Sequence, residues 1–154
     1  MYRKILVPLD GSEVAECALP HMQAVATGCN VVEVVILRVI GPLPLPGDYI
    51  ISEGDRVRLE SKHRSEAQSY LGKVKKQLGE SGLVVHTHIV EGEAAESIVE
   101  YADKHKVDLI VMATHGRSGI GRWALGSVAD RVIRHSKSPV LMVRASKTSA
   151  SRKS

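Results

Sequence analysis

The amino-acid sequence predicts an α/β fold, with five parallel strands in one domain and helices on both faces of the sheet. Short apolar runs rich in β-branched residues alternate with longer segments whose apolar residues recur at helical spacing. Strands that alternate with helices form a parallel sheet, because each right-handed crossover carries a helix over one face. The 154 residues suit one domain, and no internal repeat divides them.

Each element follows from a local pattern. The second strand run, NVVEVVILRVI, is the densest in β-branched residues, so we expect it to lie in the centre of the sheet. The helical segments repeat apolar residues at the i, i+3, i+4, i+7 spacing of one buried face. The predicted order is strand 4–9, helix 12–28, strand 30–40, helix 56–78, strand 83–90, helix 93–105, strand 107–112, helix 127–135 and strand 139–143.

Two proline-containing stretches interrupt this regular order. Pro20 lies inside the first helix, where we expect a kink or a break because proline removes one backbone hydrogen bond. Residues 41–54 carry several prolines and glycines and form a long connection between the second strand and the next helix. A connection of this length is unusual in a compact domain and is often functional.

The net charge of +4 is concentrated at the end of the chain. Residues 144–154 hold four basic residues and no acid, and removing four from 21 leaves 17 basic against 17 acidic residues in 1–143. We therefore predict a neutral domain over 1–143 and a basic, disordered tail over 144–154. Aromatic residues make up only 3% of the chain, which argues against nucleic-acid binding because aromatic stacking holds single strands.

The sequence contains no predicted membrane or secretory segment. No apolar run approaches the length of about 20 residues that spans a bilayer. The N-terminal MYRKILVPLD has too short an apolar part for a signal peptide and lacks a small-residue cleavage site. We expect a cytoplasmic protein without a membrane partner.

Neither the cysteines nor the histidines predict a metal site. Cys17 and Cys29 lie near the two ends of one predicted helix, about 18 Å apart, which is too far for a disulfide. His86 and His88 project to the same face of the third strand, but the sequence offers no third ligand at a suitable distance. We interpret them as solvated strand residues.

Residues 107–135 carry the strongest functional signal. A buried strand leads into a loop with Gly116, Gly119 and Gly121 together with Arg117, and a helix start follows at Gly126-Ser127. Glycines let the backbone approach a ligand closely, and the first N–H groups of a helix attract an anion. We expect the Ser127 hydroxyl to cap this helix. The order of strand, glycine-rich loop and helix start predicts a phosphate site.

The spacing within this stretch resembles the nucleotide-binding motif of the universal stress protein family. That motif is Gly, two residues, Gly, nine residues, Gly, and then Ser or Thr. Gly116, Gly126 and Ser127 match it, whereas Ala113 replaces the first glycine. Neither a Walker P-loop, G-x-x-x-x-G-K-[ST], nor a dinucleotide fingerprint, G-x-G-x-x-G after the first strand, is present.

The resemblance covers the chain from Ile5 to Val143 and implies a Rossmann-like open sandwich with strand order 3-2-1-4-5. It implies that ATP, with or without Mg²⁺, binds where the order reverses, beside the carboxyl ends of the first and fourth strands. We expect ribose hydroxyls at Asp10 and phosphates along the glycine-rich loop and helix start. The predicted site residues are Pro8, Leu9, Asp10, Val39, Met112, Ala113, His115, Gly116, Arg117, Gly119, Gly126, Ser127 and Val128.

The resemblance also implies a homodimeric regulator or stress-response protein that hydrolyses ATP slowly at most. Residues 139–143 (PVLMV) carry no charge and lie at a predicted sheet edge, so a second copy is expected to pair with them. An alternative is a dimeric interaction module whose site is empty or filled by AMP, since Ala113 departs from the motif. A third interpretation is an ATP-consuming ligase or transferase, although the sequence shows no catalytic set for phosphoryl transfer.

Overall fold

The protein folds as a five-stranded parallel sheet, and the computed structural model describes residues 1–42, 52–115 and 125–145. The strands are β1 (Lys4–Pro8), β2 (Glu33–Ile40), β3 (Val85–Glu91), β4 (Leu109–His115) and β5 (Val140–Ala145). Across the sheet they lie in the order β3-β2-β1-β4-β5, with every neighbouring pair parallel. The predicted fold class and strand order are therefore confirmed, and the order reverses between β1 and β4.

Helices cover both faces of this sheet. One apolar core contains Ile5, Val7 and Ile36 from the strands, and the other contains Leu6 and Ile110. Alternate residues of a strand point to opposite faces, so one continuous apolar run serves both cores. The helices are α1 (Glu13–Glu16), α2 (Ala18–Gly28), α3 (Glu53–Gly79), α4 (Ala94–Lys104) and α5 (Ser127–His135). The first core packs against α2 and α3, and the second against α4 and α5.

The predicted break in the first helix lies at Cys17 rather than at Pro20. Cys17 separates α1 from α2 and donates its backbone N–H to the Val14 carbonyl at 3.2 Å. Pro20 lies in the first turn of α2, where backbone N–H groups have no partner within the helix, so no helical hydrogen bond is lost there. The discontinuity falls one turn before the proline, because proline cannot bond the carbonyl of the residue four positions earlier.

Several element ends differ from the predicted ones, for local reasons. Helix α3 begins three residues early, at Glu53, because the Ser52 hydroxyl accepts from the Asp55 N–H at 3.1 Å and caps it. Asn30 has a left-handed φ of 52°, so β2 begins only at Glu33. Strands β4 and β5 pair beyond their predicted ends, Thr114 with Arg144 and His115 with Ala145.

The remaining general expectations concern the cysteines and the membrane. Cys17 and Cys29 are both free thiols, as predicted from their separation along the helix. In the parts of the chain that the structure describes, no helix combines the length and the apolarity that crossing a bilayer would demand. Strand β5 includes residues 144 and 145, which were predicted to be the first two residues of the tail.

Candidate functional site

A cleft of about 260 Å³ opens beyond the carboxyl ends of β1, β2 and β4. It lies where the strand order reverses between β1 and β4, and it extends to the first turns of α1, α4 and α5. Loops after neighbouring strands diverge at such a reversal, because their helices cover opposite faces of the sheet. The topology alone therefore leaves a crevice here.

Every predicted site residue with a described side chain lines this cleft. The strand contributions are Pro8, Leu9, Asp10, Val39, Met112 and Ala113. Helix α5 and the residue before it contribute Gly126, Ser127 and Val128. The side chain of His115 and all of Gly116, Arg117 and Gly119 lie outside the described residues, so their part in the site stays a prediction.

The cleft also contains residues that the sequence interpretation missed. Thr114 lines the cleft and could have been predicted from the sequence, because it lies between Ala113 and Gly116 within the motif. Leu37 lies in the predicted second strand but was not among the predicted site residues, and its side chain lines the cleft. Ala94 and Ile98 come from α4, which no motif connects to the loop, so only the packing of α4 on the sheet brings them here.

One end of the cleft is apolar. Leu37, Ile98 and Met112 are almost entirely buried around it, and Pro8 and Val39 border its opening. All five of these side chains are apolar, so this part of the cleft wall carries no charge. A flat apolar group placed here would lose water on both faces, at a gain of roughly 25 cal/mol for each Å² of apolar surface buried.

The other end of the cleft is the start of α5. Gly126 is the N-cap residue, with no side-chain hydrogen bond to the helix, and Ser127 is the first helical residue. The prediction that the Ser127 hydroxyl caps the helix was therefore wrong. No described side chain accepts from the first N–H groups of α5, so these donors face the cleft and its solvent. Such a helix start attracts anions through its N–H groups and its dipole.

The backbone and the packing of the described residues do not require a glycine at position 126. Its backbone angles, φ −58° and ψ 150°, suit any residue. A Cβ built on it would come no closer than 3.8 Å to another described atom, the hydroxyl oxygen of Thr114. That hydroxyl accepts the Gly126 N–H at 3.3 Å and fixes the backbone at this point. Gly126 lines the cleft, and no described side chain fills the space beside it.

Ala113 occupies the position of the first motif glycine without backbone strain. It lies within β4, pairs with Val143 of β5, and is not among the residues with positive φ. A glycine is therefore not needed for the backbone angle here, and alanine changes the cleft wall only by one methyl group. The departure of Ala113 from the motif therefore does not disturb the backbone of β4.

Asp10 stands at the mouth of the cleft as an exposed carboxylate. Its Oδ1 accepts the backbone N–H of Ser12 at 2.9 Å, which orients the side chain after β1. Partial burial alone would raise the pKa of Asp10, but the hydrogen bonds from Ser12 and the nearby charge of Arg38 outweigh it and lower that pKa. Asp10 is therefore an ionised hydrogen-bond acceptor at neutral pH.

The two strand histidines lie away from this cleft. His86 and His88 are exposed on β3, at the sheet edge, and the His88 ring lies 5.5 Å from the ring of Tyr101. His105 stacks on the Tyr101 ring with a centroid separation of 4.1 Å, and its ring lies 6.3 Å from that of His88. Among the described residues, no three His, Cys, Asp or Glu side chains are arranged to hold a metal ion.

These features define the class of this protein as a doubly wound α/β protein with a ligand cleft that is apolar at one end and lined by anion-binding donors at the other. The sequence model of the Universal stress protein family matches residues 1–144, and the chain belongs to this family. Universal stress protein MJ0531 of Methanocaldococcus jannaschii is 41% identical over 147 residues, which are 96% of this chain and 85% of that relative.

Solved structures agree with this assignment. The structure of MJ0577, a universal stress protein of Methanocaldococcus jannaschii, has a TM-score of 0.81 and 37% identity, and the match covers 96% of this chain and 99% of that one. A universal stress protein in complex with cAMP has a TM-score of 0.69 and 25% identity, and the match covers 94% and 98% of the two chains. The similarity extends over almost the whole length of each protein.

Proposed function

We propose that this universal stress protein binds adenine nucleotides, and ATP above all, as a homodimeric regulator in the stress response. One observation carries the proposal: a single cleft combines apolar side chains, an ionised acceptor and an uncapped helix start, the three kinds of contact that base, ribose and phosphate need. The relative solved with cAMP contains an adenine nucleotide and supports this choice of ligand.

The orientation of the nucleotide follows from the chemistry of the two ends. The base enters the slot between Val39 and Met112, where it exchanges water for apolar contacts. The phosphates lie against the first turn of α5, because its N–H groups are the free donors of the described cleft. Asp10 then stands beside the ribose and accepts from its hydroxyl groups.

The residues present fit a triphosphate better than they fit a dedicated metal site. Asp10 is the only carboxylate that lines the described cleft, and Asp130 turns away to pair with Arg134 at 2.9 Å. A Mg²⁺ ion that accompanies ATP would be held by phosphate oxygens and water, as this ion commonly is. From the motif resemblance we also expect Arg117 and the glycine-rich loop to lie next to the phosphates.

We propose further that the protein is a binder and not a rapid ATPase. Fast phosphoryl transfer needs a group that positions the attacking water as well as charge to stabilise the transition state. The described lining near α5 offers Thr114 and Ser127 as polar side chains, and the Thr114 oxygen already accepts from Gly126. Slow hydrolysis, measured as phosphate release with ATP and Mg²⁺, is the most that we expect.

Asp10→Asn tests the ribose contact. The asparagine oxygen can still accept from the Ser12 N–H, so the turn after β1 is retained while the negative charge is lost. Hydrogen bonds to a charged group exceed neutral ones by about 1 kcal/mol, so the affinity for ATP and ADP should fall about fivefold to tenfold. Titration calorimetry measures this change, and an unaltered affinity would remove Asp10 from the site.

Calorimetry with ATP, ADP and AMP also separates the proposal from the alternative module. We expect the protein to bind all three nucleotides, with a tighter complex for those that add phosphates at α5. An acid extract of the freshly purified protein should contain adenine nucleotide. If neither experiment detects ATP, the alternative is favoured, a dimeric interaction module that is empty or holds AMP.

The homodimer is proposed from the free edge of β5. This strand pairs with β4 on one side and has no second neighbour among the described strands. Its residues Val140, Leu141 and Met142 are apolar and only partly buried. An exposed apolar edge favours pairing, and the same strand of a second copy, antiparallel about a two-fold axis, satisfies its backbone groups.

A further inference from the structure

Arg38 lies beside Asp10 at the end of the neighbouring strand. In the β1–β2 register Leu37 stands opposite Pro8, and the Leu9 N–H donates to the Leu37 carbonyl at 2.9 Å. Arg38 therefore lies beside the point where the chain leaves β1 and continues to Asp10. Its Nη1 donates to the Leu9 carbonyl at 3.5 Å, a long hydrogen bond on the other side of the same residue. Leu9, the residue that follows β1, is thus held by β2 at both its N–H and its C=O.

The guanidinium of the half-buried Arg38 has no ion-pair partner among the described residues. Glu66 of α3 lines the same groove as Arg38, and two further carboxylates act on the adjoining Tyr70. Glu16 of α1 accepts from the Tyr70 hydroxyl at 2.9 Å, and Asp10 accepts from the Ser12 N–H. The positive charge of Arg38 acts on Asp10, where it helps to lower the pKa of the carboxyl group. It acts on Tyr70 as well, whose pKa is raised by burial and by Glu16 in spite of Arg38.

We propose that Arg38 is a positioning residue that fixes the Leu9 backbone and thereby holds the Asp10 carboxylate at the mouth of the cleft. The side chain does not line the cleft, and its guanidinium faces the groove formed with Gly11 and Tyr70. It therefore acts on a ligand through Asp10 and not by contact. The consequence for nucleotide binding rests on the proposed function, whereas the effect of Arg38 on Asp10 does not.

A plain surface role predicts a different behaviour. If Arg38 were only a charge near Asp10, its removal would raise the pKa of Asp10 through the lost charge alone, and the loss of affinity caused by replacing Asp10 would be the same with and without Arg38. The side chain of methionine retains much of the apolar stem, so Arg38→Met removes the charge and the donors with little loss of packing. Arg38→Lys retains the charge but loses the planar, fixed geometry of the guanidinium. Arg134→Met removes one positive charge from the far end of α5 and is the matched control.

The test combines two measurements on the full chain. The first is the pKa of Asp10 without ligand, from the chemical shift of its carboxyl carbon as a function of pH. Arg38→Met should raise this pKa, because one cause of its depression is removed, whereas Arg38→Lys and Arg134→Met should leave it close to that of the unaltered protein. The second is the affinity for ADP, which Arg38→Met should lower about fivefold.

A double-mutant cycle decides whether the two residues act together. In a protein that already carries Asp10→Asn, Arg38→Met should weaken ADP binding less than twofold. An unchanged Asp10 titration in Arg38→Met, or losses that multiply fully in the double variant, would overturn the positioning role. If the unaltered protein binds no ADP, the proposed function fails, and the carboxyl titration still decides whether Arg38 controls Asp10.

Discussion

Gly126→Val is expected to weaken ATP binding about 100-fold or more and to leave the thermal stability of the protein nearly unchanged. The backbone angles at this position suit valine, and its Cβ meets no described atom closer than 3.8 Å. The side chain instead enters the space in front of the first α5 donors. Loss of one or two charge-assisted hydrogen bonds to phosphate, each worth roughly 1.5–3 kcal/mol, accounts for the expected loss of affinity.

Two further variants make this result specific. Gly126→Ala adds only one methyl group and should have an intermediate effect on affinity. Gly28→Val makes the same chemical change at the end of α2, where nothing lies within 4 Å of the added Cβ and no cleft is present. It should bind ATP with unaltered affinity in calorimetry. An ATP affinity within threefold of the original in Gly126→Val would show that the phosphates do not lie against α5.

Met142→Pro should convert the proposed homodimer into a monomer. The Pro139 carbonyl accepts from the Ile110 N–H of β4, so the N–H on the other side of that trans peptide, at Val140, points away from β4. By the two-residue period of a strand, the Met142 N–H points away as well. Proline at this position removes an outward donor from the edge and leaves the ladder to β4 intact.

The size of this effect follows from the symmetry of the interface. A two-fold axis doubles the loss, so two hydrogen bonds of about 1 kcal/mol each are removed, and both proline rings obstruct the approach of the strands. We expect the dimer dissociation constant to rise about 100-fold, measured by sedimentation equilibrium. Met142→Ala is the control, because it removes the same side chain from the α4–α5 core and retains the N–H. A dimer that survives Met142→Pro must use another surface.

Much of the fold and part of the cleft could be predicted from short stretches of the sequence. The alternation of β-branched runs with amphipathic segments predicted the five strands, since each run must be buried on both faces. The residues at the carboxyl ends of β1 and β4, from Pro8 to Asp10 and at Met112, were predicted to meet and do line one cleft. Topology makes this possible, because the ends of parallel strands emerge on one side of a sheet.

The predictions that were wrong in position or role have physical causes that no local sequence pattern records. Pro20 was correctly recognised as an interruption, but a proline affects the preceding turn, so the break lies at Cys17. Ser127 was expected to be a cap, and the distant Thr114 hydroxyl fixes the Gly126 backbone instead. Strand β4 runs on to His115 because β5 continues beside it, which depends on two segments at once.

By itself, the sequence determined the alternation of strands and helices, the glycine and serine spacing of the loop after β4, and the acid at the end of β1. Only the tertiary structure decided that Ile98 of α4 closes the apolar end of the cleft and that Arg38 of β2 adjoins Asp10. The difference has one physical reason. Periodicity and motif spacing record contacts within a segment, whereas contacts between segments depend on how helices pack on the sheet and how neighbouring strands align.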